Sequence, residues 1–179
     1  MTQQSTVTQH SSYVEPGTMK LERLLPGPAE RVWAYLVDGD KRALWLAGGK
    51  FDLRLGGKVK LEFDHANLSS DKVPPAKYKD MGKPQFEGVI TRLEPNRLLA
   101  YTWPFKSEQS EVTFELEPRG KDTLLRITHR RLHTDVQVGV MSGWDVHTGI
   151  LEDVLRGNEP RPFWTTHEKL EREYRSAVS

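Results

Sequence analysis

The chain has 179 residues, 36% hydrophobic and 28% charged, which allows one globular domain with a sizeable core. Lys plus Arg total 26 against 25 Asp plus Glu, so the basic excess that marks a nucleic-acid binder is missing. There is no cysteine, which excludes disulfides, thiol catalysis and cysteine-ligated zinc.

Residues 1–17 are rich in Ser, Thr and Gln and end at Pro16-Gly17, so they read as an arm outside the core. Val7, Tyr13 and Val14 could add an edge strand there. The polar start lacks the charged-then-apolar order of a signal peptide. No apolar run approaches the roughly 18 residues needed to cross a bilayer, so a cytoplasmic protein without membrane insertion is expected. Residues 19–25 predict a strand, stopped by Pro26-Gly27-Pro28. A helix over 29–38 follows, with Val32, Trp33 and Leu36 at helical spacing. A second short turn over 40–46 carries Leu44 and Trp45.

From Phe51 the period changes to two. Phe51, Leu53 and Leu55 alternate with polar residues, and Val59, Leu61 and Phe63 do the same beyond Gly56-Gly57. That pattern predicts a hairpin with a tight glycine turn. Residues 64–84 show no period and carry three prolines, as in a lid, a mobile loop or a solvated insertion. Four strands follow over 85–95, 97–103, 110–118 and 122–132, close enough in sequence to form an antiparallel meander. Asp135 is placed to cap a long helix ending near Arg156, with Gly157 as its stop. Gly139, Gly143 and Gly149 each cost that helix about 1 kcal/mol relative to alanine. They also allow another backbone or a ligand to come close. After Pro160 and Pro162, a final helix shows Phe163, His167, Leu170 and Tyr174 on one face.

Six strands after the first helix, with one long helix left to cover their apolar face, predict an α+β fold in which a curved sheet grips that helix. The motifs VW, LW, FDLRLGGKV, FEGVITRLEPNRLLAYTW, SEVTFELEPRGKDTLLRITH and GWDVHTGILEDVL, in that order, resemble the activator of heat-shock protein 90 ATPase homologue family. The resemblance covers about residues 19–157 and implies the helix-grip fold of the START-like, birch-pollen-allergen-like superfamily. It implies a core domain over 18–157, with the arm 1–17 before it and an additional helix in 158–179. Members of the superfamily bind lipids, hormones and polyketides, and a few catalyse cyclisation or dehydration. The family itself includes a eukaryotic co-chaperone domain.

A ligand pocket needs an apolar wall with a few convergent polar groups. Candidates for the wall are Trp33, Trp45, Phe51, Tyr101, Trp103, Phe114, Ile127, Trp144 and Leu151, each of which could instead simply fill the core. His129 and His147 share the inward strand face and the helix stripe. Either could bind a ligand, act as an acid or base, or be a satisfied core histidine. Glu87 and Arg92 have opposite parity, so at most one faces the helix. No HExxH, carboxylate cluster or phosphate-binding loop is present, so no metal, cofactor or catalytic residue is assigned. The expected function is binding of a small apolar molecule between sheet and helix. The alternatives are a co-chaperone-like interaction module using the outer face of Glu111, Glu115 and Glu117, or a weak acid/base enzyme. A homodimer through the arm or final helix is possible.

Overall fold

The structure, a computed structural model, describes residues 12–105 and 108–178 of the chain. Seven antiparallel strands form one curved sheet: β1 (Ser12–Glu15), β2 (Thr18–Leu25), β3 (Lys58–Glu62), β4 (Gln85–Glu94), β5 (Leu98–Phe105), β6 (Glu108–Arg119) and β7 (Asp122–Arg130). Their spatial order is β1-β2-β7-β6-β5-β4-β3. The meander β4 to β7 thus pairs each strand with the next, and β7 returns to pair with β2 over Met19–Leu25. The backbone of Tyr13 pairs with Met19 at the sheet edge, while Val7 lies outside the described residues.

Four helices complete the fold: α1 (Ala29–Val37), α2 (Gly39–Arg42), α3 (Gln137–Leu155) and α4 (Phe163–Val178). Alternate residues of β7 (Leu125, Ile127 and His129) are fully buried, as are Leu99 of β5 and Val112 of β6. Burial of each large apolar side chain stabilises the fold by about 1.5–3 kcal/mol. Helix α3 is buried nearly all round, because the sheet holds one side and α4 packs along another. Arg23 of β2, almost wholly buried, ties the layers together. It donates to Thr148 at 3.1 Å and to Asp145 at 3.0 Å on α3, and Tyr174 of α4 donates to the same Asp145 at 2.5 Å.

The expected glycine hairpin is only half formed, so five strands rather than six follow α1. Phe51 makes a single bridge to Val59 and Gly48 one to Glu62, while Leu53 and Leu55 are exposed. Ahead of Phe51, the buried Arg42 guanidinium takes the carbonyls of Leu36, Val37, Ala47, Gly48 and Gly49 and lies 3.6 Å from the centre of the Phe51 ring. The ladder nevertheless runs from Gly48 to Asp52: Glu62 N–H bonds to the Gly48 carbonyl, Lys60 N–H to that of Lys50 and Asp52 N–H to that of Lys58. The chain then turns early, with Arg54 N–H bonding to the Asp52 carbonyl, and a Cβ on Gly57 would lie 2.0 Å from that same oxygen.

One further expectation changes. Asp135 does not cap α3. His133 instead accepts the Asp135 N–H at 3.3 Å and opens a single 3-10 turn, Thr134–Val136, ahead of Gln137. Glu87 and Arg92 are both exposed, within the expectation that at most one faces the helix; a bulge between Ile90 and Arg92 switches the parity of β4 and turns Arg92 outward. The C-terminal stop is as expected, with Gly157 at φ +74° after Leu155.

Segment 64–84 carries two single 3-10 turns, His65–Asn67 and Ala76–Tyr78, and lies against α4. Ser69 Oγ accepts the Phe163 N–H at 3.0 Å, and Asp71 Oδ2 accepts both N–H and hydroxyl of Thr165 at 2.8 and 2.9 Å. The loop therefore caps the first turn of a helix that is remote from it in sequence, and the Asp71 carboxylate suits the positive end of the helix dipole.

Candidate ligand-binding cleft

A cleft of about 650 Å³ lies between the first half of α3 and the inner face of the sheet. Gly139 and Gly143 form its helical side. A Cβ built on either meets no atom within 4 Å, so both face open space, Gly139 exposed and Gly143 half-buried. Neither glycine has a positive φ, and backbone geometry does not require them. Opposite stand Trp103 of β5, Phe63 after β3 and His129 of β7, with Leu46, Trp144 and His147 completing the walls. The Trp103 ring meets Trp144 edge-to-face at 5.3 Å and Phe63 at 5.9 Å. These are favourable aromatic geometries that also stiffen the wall.

His129 is fully buried and both of its nitrogens are engaged. The indole of Trp144 can only donate, so its bond of 3.0 Å makes His129 Nδ1 the acceptor and puts the ring proton on Nε2. That N–H meets Ser110 Oγ at 2.7 Å, and Ser110 donates on to the Trp103 carbonyl at 2.8 Å. Burial lowers the His129 pKa to about 3, so the ring is neutral across the physiological range. His147 bonds through Nδ1 to the Trp45 carbonyl at 2.7 Å, which fixes the proton there and leaves Nε2 as an acceptor. Burial first, then the neighbouring His65, holds its pKa at about 3.

The rim is polar. Glu171 of α4 binds Lys77, accepts from the Tyr78 hydroxyl at 3.0 Å and from Arg175 at 3.0 Å, and lies 3.6 Å from His167. Burial works against its charge, yet the hydrogen bonds from Lys77 and Tyr78 hold its carboxyl below the usual range. Glu171 thus clasps the 64–84 loop to α4 beside the cleft mouth. Among the described residues, no group of three or more His, Asp or Glu side chains is placed to hold a metal ion. No helix among them is long and apolar enough to cross a membrane.

The model of the family described as activator of Hsp90 ATPase homolog 1-like protein matches residues 26–156. The chain belongs to this family. A Bordetella parapertussis protein solved by solution NMR is 39% identical over 98% of this chain and 94% of its own, with a TM-score of 0.80. CalU16 from Micromonospora echinospora shares the fold at 20% identity, covering 94% of each chain, with a TM-score of 0.67. DynU16, described as a protein in the dynemicin biosynthetic locus, shares it at 16% identity and a TM-score of 0.64, over 82% of this chain and 49% of its own. No curated protein matches the chain.

In this member of the activator of Hsp90 ATPase homologue 1-like family, four of the sequence-derived candidates (Trp103, His129, Trp144 and His147) meet at the cleft. Trp33, Trp45, Phe51, Tyr101, Phe114, Ile127 and Leu151 lie in the packed interior and do not line the cleft, although Tyr101 and Phe114 pack directly behind Trp103 and Trp144. Sequence reasoning did not name Leu46, Phe63, Lys77, Tyr78, Glu171 or Arg175 for the site. Phe63 could have been found from its inward parity with Val59 and Leu61. The rim could not, since Lys77 and Glu171 lie on segments far apart in sequence. The α4 part of the rim also falls outside the span matched by the family model.

Proposed function

We propose that the protein binds one small, largely apolar molecule in the cleft between α3 and the sheet. The observation that carries this reading is the pair Gly139 and Gly143: two helix-weakening residues stand where a side chain would have free space, and the space opens onto an aromatic wall. At about 650 Å³ the cleft suits an organic molecule of modest size. Trp103, Trp144 and Phe63 supply apolar surface, and His147 orients the ligand through its free Nε2. The biosynthetic setting named for DynU16 agrees with a small-molecule role. Acid/base chemistry draws no support from His129, whose nitrogens are both committed and whose ring stays neutral.

The test is a 15N–1H correlation titration with ethylnaphthalene, an apolar aromatic probe. Saturable shifts at Gly139, Gly143 and the Trp103 and Trp144 indoles are expected. Shifts confined to other surfaces, or none at saturating probe, would remove the reading.

A further inference from the structure

Among the described residues, five buried side-chain polar atoms have no hydrogen-bond partner: His65 Nδ1, Trp103 Nε1, Gln137 Nε2, Trp164 Nε1 and His167 Nδ1. Of these residues only Trp103 belongs to the cleft wall. The contrast with its neighbours is informative. Trp45 donates its indole N–H to the Tyr35 carbonyl at 2.8 Å, and Trp144 donates to His129 at 3.0 Å. Both buried indoles are satisfied inside the protein. Trp103 is not.

The rings around Trp103 explain why. Phe63 and Phe86 offer only carbon, and Trp144 offers only a donor that is already used. His129, 5.8 Å away between ring centres, has one nitrogen taken by Trp144 and the other by Ser110. The charged groups of the rim, Lys77, Arg175 and Glu171, are occupied with one another. A buried donor without an acceptor is a standing cost that a phenylalanine in the same place would avoid. Trp103 lines the cleft, so a molecule held there is the partner placed nearest to bring the missing acceptor. An uncharged acceptor suits the apolar inner wall, where His129 and His147 carry no positive charge and the cations Lys77 and Arg175 stand at the rim on Glu171.

Resting on the binding reading above, we infer that the ligand carries a neutral acceptor oxygen, a carbonyl, ether or hydroxyl, that takes the Trp103 Nε1–H. Trp103 is then the specificity-determining residue of the cleft. It selects an oxygen-bearing apolar molecule over a plain hydrocarbon of the same shape.

The experiment compares acetylnaphthalene, which has a carbonyl, with ethylnaphthalene, which has none, by calorimetric titration of the wild-type protein and Trp103→Phe. The wild type should prefer the ketone, and that preference should fall about fivefold or more in Trp103→Phe. An equal preference in both proteins overturns the inference while leaving the cleft as a binding site. If neither probe binds the wild type, the inference and the binding reading fall together. Should Trp103→Phe not fold, the Trp103 indole proton in the wild type gives the same answer. It should move downfield with acetylnaphthalene and not with ethylnaphthalene, and equal movement with both refutes the pairing.

Discussion

Gly139→Ala combined with Gly143→Ala separates a cleft kept open from a helix that is merely poorly built. Both positions lie inside α3 with ordinary helical backbone, and an added Cβ meets nothing within 4 Å at either. No steric penalty therefore offsets the propensity gain of about 1 kcal/mol per site, or about 2 kcal/mol for the pair. For a domain of this size that corresponds to a rise in Tm of about 4–8 °C, read by circular dichroism or differential scanning calorimetry. The two methyl groups should at the same time narrow the cleft and weaken ethylnaphthalene binding. A fall in Tm would show that the positions are packed or strained, and the argument from missing side chains would fail.

Arg42→Met should cost about 3 kcal/mol or more, because it strands several buried carbonyls that the guanidinium now satisfies, and chemical denaturation measures it; a loss within experimental error would refute that role. The pKa values of His65 (about 4), His129 (about 3) and His147 (about 3) lie below the ordinary 6.5, so the unfolded chain binds these protons first as pH falls. Their stabilising contribution is present above pH 6.5 and is lost on acidification, at up to about 1.4 kcal/mol per pH unit for each group. Urea midpoints at pH 7, 6 and 5 should fall in that order, and a flat profile contradicts the buried neutral state. Glu171→Ala removes the clasp on Lys77, Tyr78 and Arg175, so amide exchange should quicken in residues 64–84 and α4 while β5 to β7 stay protected. Uniform change across the chain would show that Glu171 is not a local fastener.

The four-strand meander and the long helix were legible in the sequence because alternation and helical spacing are local properties. Phe114, Ile127 and Trp144 announced their faces by parity or spacing alone. The failed hairpin shows the limit. Leu53 and Leu55 alternate as a strand should, yet the chain turns at Asp52 and Arg54 and hands Gly56 and Gly57 to Ile90 of β4, a partner that no local pattern reveals. The cap on α3 failed for a similar reason: Asp135 has the right chemistry, but His133 takes the N–H and opens a 3-10 turn first. The candidate site was half legible. His129 and Trp144 could be placed near one another, whereas the bond between them, which fixes the tautomer, depends on a three-dimensional register between β7 and α3. The rim was invisible for want of any local signal joining the 64–84 loop to α4.

Filling the cleft from its glycine side tests the central claim most directly. The neutral solvatochromic dye Prodan should bind the wild type at one site with a blue-shifted emission. Gly143→Phe, whose ring would occupy the open space beside Trp103 and Trp144, should retain its fold and lose that signal. Equal Prodan binding in a folded Gly143→Phe, or no binding in the wild type, would contradict the account.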